Sequence, residues 1–117
     1  MICHITIHTS KLDDTVKFYD WLLGLTVTRT LNTPDGVIVF LGKDETKLEF
    51  IEDKKATIID AKSLTIGFAV ENLDEKLVML ESRQIEHSRI ISPSPNTRFA
   101  FFTDLNGCGI QLLEQKK

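Results

Sequence analysis

The sequence predicts an α+β fold of two βαβββ modules, residues 1–53 and 64–115, within a single domain spanning 1–117. Two observations predict it. The chain repeats itself, since Ile5-Thr6-Ile7-His8-Thr9 followed by Leu12-Asp13-Asp14 matches Ile66-Gly67-Phe68-Ala69-Val70 followed by Leu73-Asp74-Glu75 at an offset of 61. Further on, Leu48-Glu49-Phe50-Ile51-Glu52 matches Ile110-Gln111-Leu112-Leu113-Glu114 at an offset of 62. An internal repeat means one supersecondary unit used twice. Each copy also carries one helical stripe followed by three β-rich pieces. A pseudo-two-fold pairing of the modules is expected to curl their sheets around a cup.

In the first module Ile5 and Ile7 alternate with His4, Thr6 and His8, the period-2 pattern of a half-buried strand. Leu12, Val16, Tyr19 and Leu23 then recur at helical spacing, with Ser10 and Asp13 as an expected capping box and Gly24 as the stop. Strands follow at Thr26–Leu31, at Val37–Leu41 after the turn Asn32–Gly36, and at Lys47–Ile51 after the turn Lys43–Thr46. The second module predicts a strand at 64–70 and a helix through Leu73, Leu77 and Leu80 capped by Asn72. Its later strands are expected near 85–91, 98–103 and 109–114, with Ser92–Asn96 as a loop and Asp104–Gly107 as a hairpin turn.

A chain of 117 residues buries about two-thirds of its unfolded surface, so neither disulfide nor metal is needed to hold it folded. The content, 42% hydrophobic and 26% charged, is that of an ordinary globular domain. No apolar run approaches the ~20 residues that span a bilayer, so no membrane partner is expected. The opening Met1-Ile2-Cys3-His4-Ile5 has no basic or apolar leader, and a cytoplasmic location is the expectation. Cys3 and Cys108 are expected as free thiols. A net charge of −3 with Lys and Arg scattered among Asp and Glu argues against nucleic acid.

The run His4-Ile5-Thr6-Ile7, Leu12-Asp13-Asp14, Phe18-Tyr19 and Leu23-Gly24-Leu25 resembles the opening of the glyoxalase / bleomycin-resistance / extradiol-dioxygenase (vicinal oxygen chelate) superfamily. The tail Phe102-Thr103-Asp104-Leu105-Asn106-Gly107-Cys108-Gly109-Ile110-Gln111-Leu112 resembles that family's closing F-x-D-P-D-G-x-x-I-E-L, with departures at Leu105, Asn106 and Gln111. In metal-using members each half supplies two ligands. The resemblance therefore implies His4 and Glu49 from the first half, and Thr65 and Gln111 from the second. His4, Glu49 and Gln111 are the candidate metal ligands, and Glu49 is the candidate catalytic proton carrier. Thr65 offers a neutral hydroxyl and Gln111 a neutral amide, so any divalent metal is expected to be weakly bound. His8 lies four strand residues from His4, about 13 Å of rise, too far to share an ion with it.

Candidate ligand-binding residues are Thr6, His8, Thr65, Phe101 and Gln111. Phe99 and Phe101 read either as core or as a stacking platform, and Arg98 as a surface residue or an anion holder. The leading expectation is a binder of a small organic molecule held in the cup, without a complete metal site. The alternatives are a metal-dependent lyase or isomerase of glyoxalase I type and a protein-interaction module. Whether the chain is an enzyme stays open, and the resemblance implies a homodimer.

Overall fold

The structure, a computed structural model, describes residues 1–43, 46–60 and 63–116. It divides into two compact units, Met1–Thr57 and Ile58–Lys117. The first contains β1 (His4–Thr9), α1 (Leu12–Leu23), β2 (Val27–Thr33), β3 (Gly36–Leu41) and β4 (Lys47–Glu52). The second contains β5 (Thr65–Ala69), α2 (Leu73–Ser82), β6 (Ile91–Ser94), β7 (Thr97–Thr103) and β8 (Gly109–Gln115). Each unit forms one four-stranded mixed sheet, ordered β1-β4-β3-β2 and β5-β8-β7-β6. The first strand pairs parallel with the last, and every other pair is antiparallel. A parallel pair needs a long crossover, and the helix forms part of it in each unit.

In the first unit the alternation buries Ile7, Leu48, Phe50, Val39 and Leu41 with Leu12, Phe18, Tyr19 and Leu22 of α1. The Tyr19 and Phe50 rings meet at 5.6 Å, and Trp21 tilts against Phe18 at 5.9 Å. The Ser10 capping box does not form. The residue before α1 is Lys11, which has no side-chain cap. The buried hydroxyl of Thr9 instead accepts the Lys11 N–H at 2.9 Å. Thr9 points into the core, where its oxygen needs a partner, and exposed Ser10 does not. Gly24 ends α1 at φ 66° as expected, its N–H donating to the Asp20 carbonyl at 2.9 Å.

In the second unit Leu73, Leu77 and Leu80 pack with Ala100, Phe102, Ile110 and Leu112 in the core. Asn72 caps α2, its Oδ1 accepting the Glu75 N–H at 3.0 Å. The strand expected near 85–91 is displaced. Residues 85–90 keep only an isolated bridge, His87 to Phe102, and β6 occupies Ile91–Ser94, so that Ser92–Ser94 of the expected loop are strand. Pro93 is tolerated because β6 is the outermost strand and its pairing with β7 is irregular between Ile91 and Ser94. The turn shrinks to Pro95-Asn96, the counterpart of Pro34-Asp35 between β2 and β3. The turn expected at Lys43–Thr46 lies partly outside the described residues.

Among the described residues no helix is long and apolar enough to cross a membrane. Cys3, exposed, and Cys108, buried, are both free thiols.

Candidate functional site

The helix covers one face of the first unit's sheet, and the chemistry-bearing side chains stand on the other. His4, Thr6 and His8 alternate with the inward Ile5, Ile7 and Thr9 along β1, and all three are exposed. On β4 the same alternation turns Glu49 and Ile51 to this face while Leu48 and Phe50 go inward. Register then builds two transverse rows. Thr6 faces Glu49, Glu49 faces Phe40, and Phe40 faces Arg29. Beside it His8 faces Ile51, Ile51 faces Ile38, and Ile38 faces Leu31. One row is polar and charged around an aromatic ring, and the other is apolar except at His8.

Glu49 is the centre of the polar row. The Thr6 hydroxyl donates to its Oε1 at 2.5 Å, and His4 Nε2 stands 3.4 Å from the same oxygen. Glu49 is largely shielded, with 13% of its side chain exposed against 43% for His4. The His4 ring meets Phe40 edge-on at 5.7 Å, and the Arg29 guanidinium carbon lies over the same ring at 5.7 Å. His8 does not join this group. Its Nδ1 pairs with Asp53 at 3.1 Å, and the Asp53 carboxyl is held below its usual range by the Lys55 N–H and then by His8.

In the second unit Thr65 and Phe101 line an open recess of about 1030 Å³, together with Ile58, Leu64, Ile85 and His87. Gln111 faces Phe101 on one side and Gly67 on the other. Gln111 extends across Gly67, where an added Cβ would lie 3.2 Å from its Oε1. Position 67 is the repeat of Thr6, so the hydroxyl that orients Glu49 has no equivalent here. Phe99 and Phe101 stand half-buried on the face opposite the buried Ala100 and Phe102, edge to face at 5.5 Å.

Arg98 is not an anion holder. Its guanidinium donates to both Asp74 oxygens at 3.1 and 3.2 Å and to Glu114 at 3.3 Å. Glu114 in turn accepts the Leu73 N–H at 2.8 Å, the main reason its carboxyl is held low.

The superfamily model described as Glyoxalase/Bleomycin resistance protein/Dioxygenase matches residues 1–112. The chain belongs to this superfamily. Among solved structures, the antibiotic-binding protein TnmS3 from Streptomyces sp. CB03234 superposes with a TM-score of 0.76 at 17% identity, over 99% of this chain and 96% of that one. The trypanothione-dependent glyoxalase I of Leishmania major gives 0.77 at 25% identity, over 97% and 86%. The fosfomycin resistance protein FosX from Listeria monocytogenes, complexed with Mn(II) and sulfate, gives 0.79 at 14%, over 99% and 90%. Among curated proteins none matches the sequence.

Some members of this glyoxalase superfamily use a metal, and the donor set here can be tested against one. Two atoms bound to a single ion lie about 3–4 Å apart, so His4 Nε2 and Glu49 Oε1 at 3.4 Å have the right spacing for half a site. The remaining donors do not fit. Among the described residues no three His, Cys, Asp or Glu side chains gather, and the repeat equivalents of His4 and Glu49 are the neutral Thr65 and Gln111. A catalytic transition-metal site ordinarily uses three good protein ligands.

Two participants went unread in the sequence. Arg29 carried a signal, because Arg29 and the apolar Leu31 are two residues apart on β2 and so share one face. His87 carried none. Its Nδ1 lies 2.6 Å from the Ser88 carbonyl and its Nε2 2.8 Å from Glu81 Oε2, partners that only folding assembles.

Proposed function

We propose that this superfamily member binds a small organic molecule on the open sheet face of its first unit, without a tightly held catalytic metal. One observation carries the reading. The strong donors stop at His4 and Glu49, and Glu49 is already oriented by the Thr6 hydroxyl towards a face lined by Phe40, Ile38 and Ile51. A carboxylate fixed by a neighbour and flanked by aromatic and aliphatic surface has the composition of a ligand site, mostly apolar with a few placed polar groups.

We assign Thr6 and His8 to this face as ligand-facing residues, and Thr65, Phe101 and Gln111 as ligand-binding residues on the second unit. The antibiotic-binding function of TnmS3, a protein of the same fold, supports a binder. A homodimer and a cytoplasmic setting belong to the same reading, and the two free thiols favour a reducing compartment.

The 3.4 Å spacing of His4 and Glu49 favours one rival, a metal-dependent lyase or isomerase with Glu49 as proton carrier and Gln111 as a further ligand. Elemental analysis of protein purified without chelator separates the two. The binder predicts far less than one equivalent of Ni, Zn, Mn or Fe, together with thermal stabilisation by members of an antibiotic-sized compound panel. Near-stoichiometric metal that is lost in His4→Ala or Glu49→Gln would overturn it. An absence of any stabilisation would point to a protein-interaction module instead.

A further inference from the structure

The turn between β7 and β8 holds the chain's single Asn-Gly pair, Asn106-Gly107. When glycine follows asparagine, its backbone nitrogen reaches the asparagine side-chain amide carbon with least hindrance, because glycine has no Cβ and a free choice of backbone angles. The other asparagines, Asn32, Asn72 and Asn96, are followed by Thr, Leu and Thr. Chain chemistry therefore marks Asn106 as the position prone to lose its amide.

The fold restrains the groups that this reaction must move. The Gly107 N–H, whose nitrogen would attack, donates to the Asp104 carbonyl at 3.0 Å. The Asn106 N–H donates to Asp104 Oδ1 at 2.9 Å, and the Asn106 carbonyl accepts the Ile59 N–H at 2.8 Å. Asn106 is 5% exposed, so water and hydroxide reach it poorly. Ile58 and Ile59 close over Gly107 so tightly that an added Cβ would collide with both. This cover is the weak part of the arrangement. The described residues between β4 and β5 form neither helix nor strand, and Ile58 is 61% exposed. A segment with so few buried contacts opens at a fraction of the cost of unfolding the whole unit.

We infer that Asn106 is a deamidation site which the docked Ile58–Ile59 segment keeps closed and which undocking of that segment opens. Once open, the Gly107 nitrogen gives its proton to hydroxide and attacks Asn106 Cγ. A new C–N bond forms, the bond from Cγ to Nδ2 breaks, and the amide group takes a proton from water and leaves as ammonia. Water then adds to one carbonyl of the cyclic imide and breaks one ring C–N bond, which yields aspartate or isoaspartate. Isoaspartate adds a methylene to the main chain, so the Asn106 and Gly107 positions lose their register with Asp104 and Ile59. Ile58, Ile59 and Gly107 also line the second unit's recess. The modification is thus an irreversible switch that detaches one wall of that recess.

The test incubates the full chain at mildly alkaline pH, folded and in concentrated guanidinium chloride, and follows Asn106 by peptide mass spectrometry. The unfolded chain should deamidate there, and the folded chain at least about tenfold more slowly, the factor that an opening cost of about 1.4 kcal/mol imposes. Ile59→Pro, which removes the N–H bonded to Asn106, and Ile58→Ala should each raise the folded-state rate towards the unfolded one. In the wild type the Asn106 rate should track hydrogen exchange at the Ile59 amide, not at the amides of β8, a comparison that holds even where a variant fails to fold. Equal rates in the folded and unfolded chain, or no reaction at Asn106 in the unfolded chain, would overturn the inference. A wild-type rate that follows the β8 amides alone, or folded variants that react no faster than wild type, would do the same.

Discussion

At Gly107 the backbone takes φ +84°, and a Cβ there would lie 2.5 Å from the Ile59 carbonyl oxygen and from Ile58 Cγ2. The segment Ile58–Ile59 is docked against the turn that Gly107 closes, with the Ile59 N–H donating to the Asn106 carbonyl at 2.8 Å. Asp104 organises that turn from inside, its Oδ1 accepting the Asn106 and Cys108 N–H groups at 2.9 Å each. Gly24 is also left-handed, at φ +66°, yet nothing lies within 4 Å of its missing Cβ. The two glycines should therefore respond differently to substitution. Gly24→Ala meets only the left-handed penalty, about 1–2 kcal/mol. Gly107→Ala meets that penalty and a clash with backbone, so it should cost clearly more in chemical denaturation and should release the Ile59 amide to hydrogen exchange. Equal losses would mean that the Ile58–Ile59 segment is not packed where Gly107 admits it. The Asp104-Leu105-Asn106-Gly107 turn was legible as a turn, because its chemistry is local. That a distant segment lies on it was not.

Between elements, His87 fastens the α2 end to β7. Its ring reaches Glu81 near the end of α2, while the adjoining Ser88 exchanges both N–H and hydroxyl contacts with Phe101, at 2.8 and 2.9 Å. Both ring nitrogens face acceptors, an arrangement that suits the imidazolium. The Ser88 carbonyl, and after it Glu81, raise the His87 pKa above 6.5 against the opposing effect of desolvation. A raised folded-state pKa stabilises the fold fully below the unfolded value of 6.5 and loses that contribution as pH climbs through the folded value. Wild-type Tm should therefore fall relative to His87→Gln on going from pH about 6 to about 8. Parallel pH profiles for the two proteins would remove His87 as the fastener. Neither this contact nor the displacement of β6 was readable beforehand. Pro93 and its serine neighbours look like a loop because local propensity cannot register that an outermost strand needs fewer ladder bonds.

Across the molecule the same plan appears twice, a sheet with a helix on one face and polar or aromatic side chains on the other. In each unit the last strand, β4 or β8, lies between two neighbours, whereas β1 and β2, like β5 and β6, are outermost, and β2 and β6 bury no residue. Backbone amides of β4 and β8 should thus be the slowest to exchange, and those of β2 and β6 the fastest among the strands, since local opening starts where few bonds and little burial oppose it. Fast exchange throughout β8 would contradict the second unit's core. The repeat, the order of elements and the superfamily were all legible from residue patterns. A strand period, a helical stripe and a turn each depend on neighbours in the chain, and duplication let one half corroborate the other. The exposed face shared by His4, Thr6 and His8, with Glu49 beside it, was legible for the same reason. Which groups touch was not. Thr6 and Glu49 are 43 positions apart, and Arg29 meets Phe40 while Arg98 is neutralised by Asp74 and Glu114. Those pairings are chosen by strand register and by the packing of a helix on its sheet. Both are settled by burial summed over the unit, a quantity no local stretch of sequence contains.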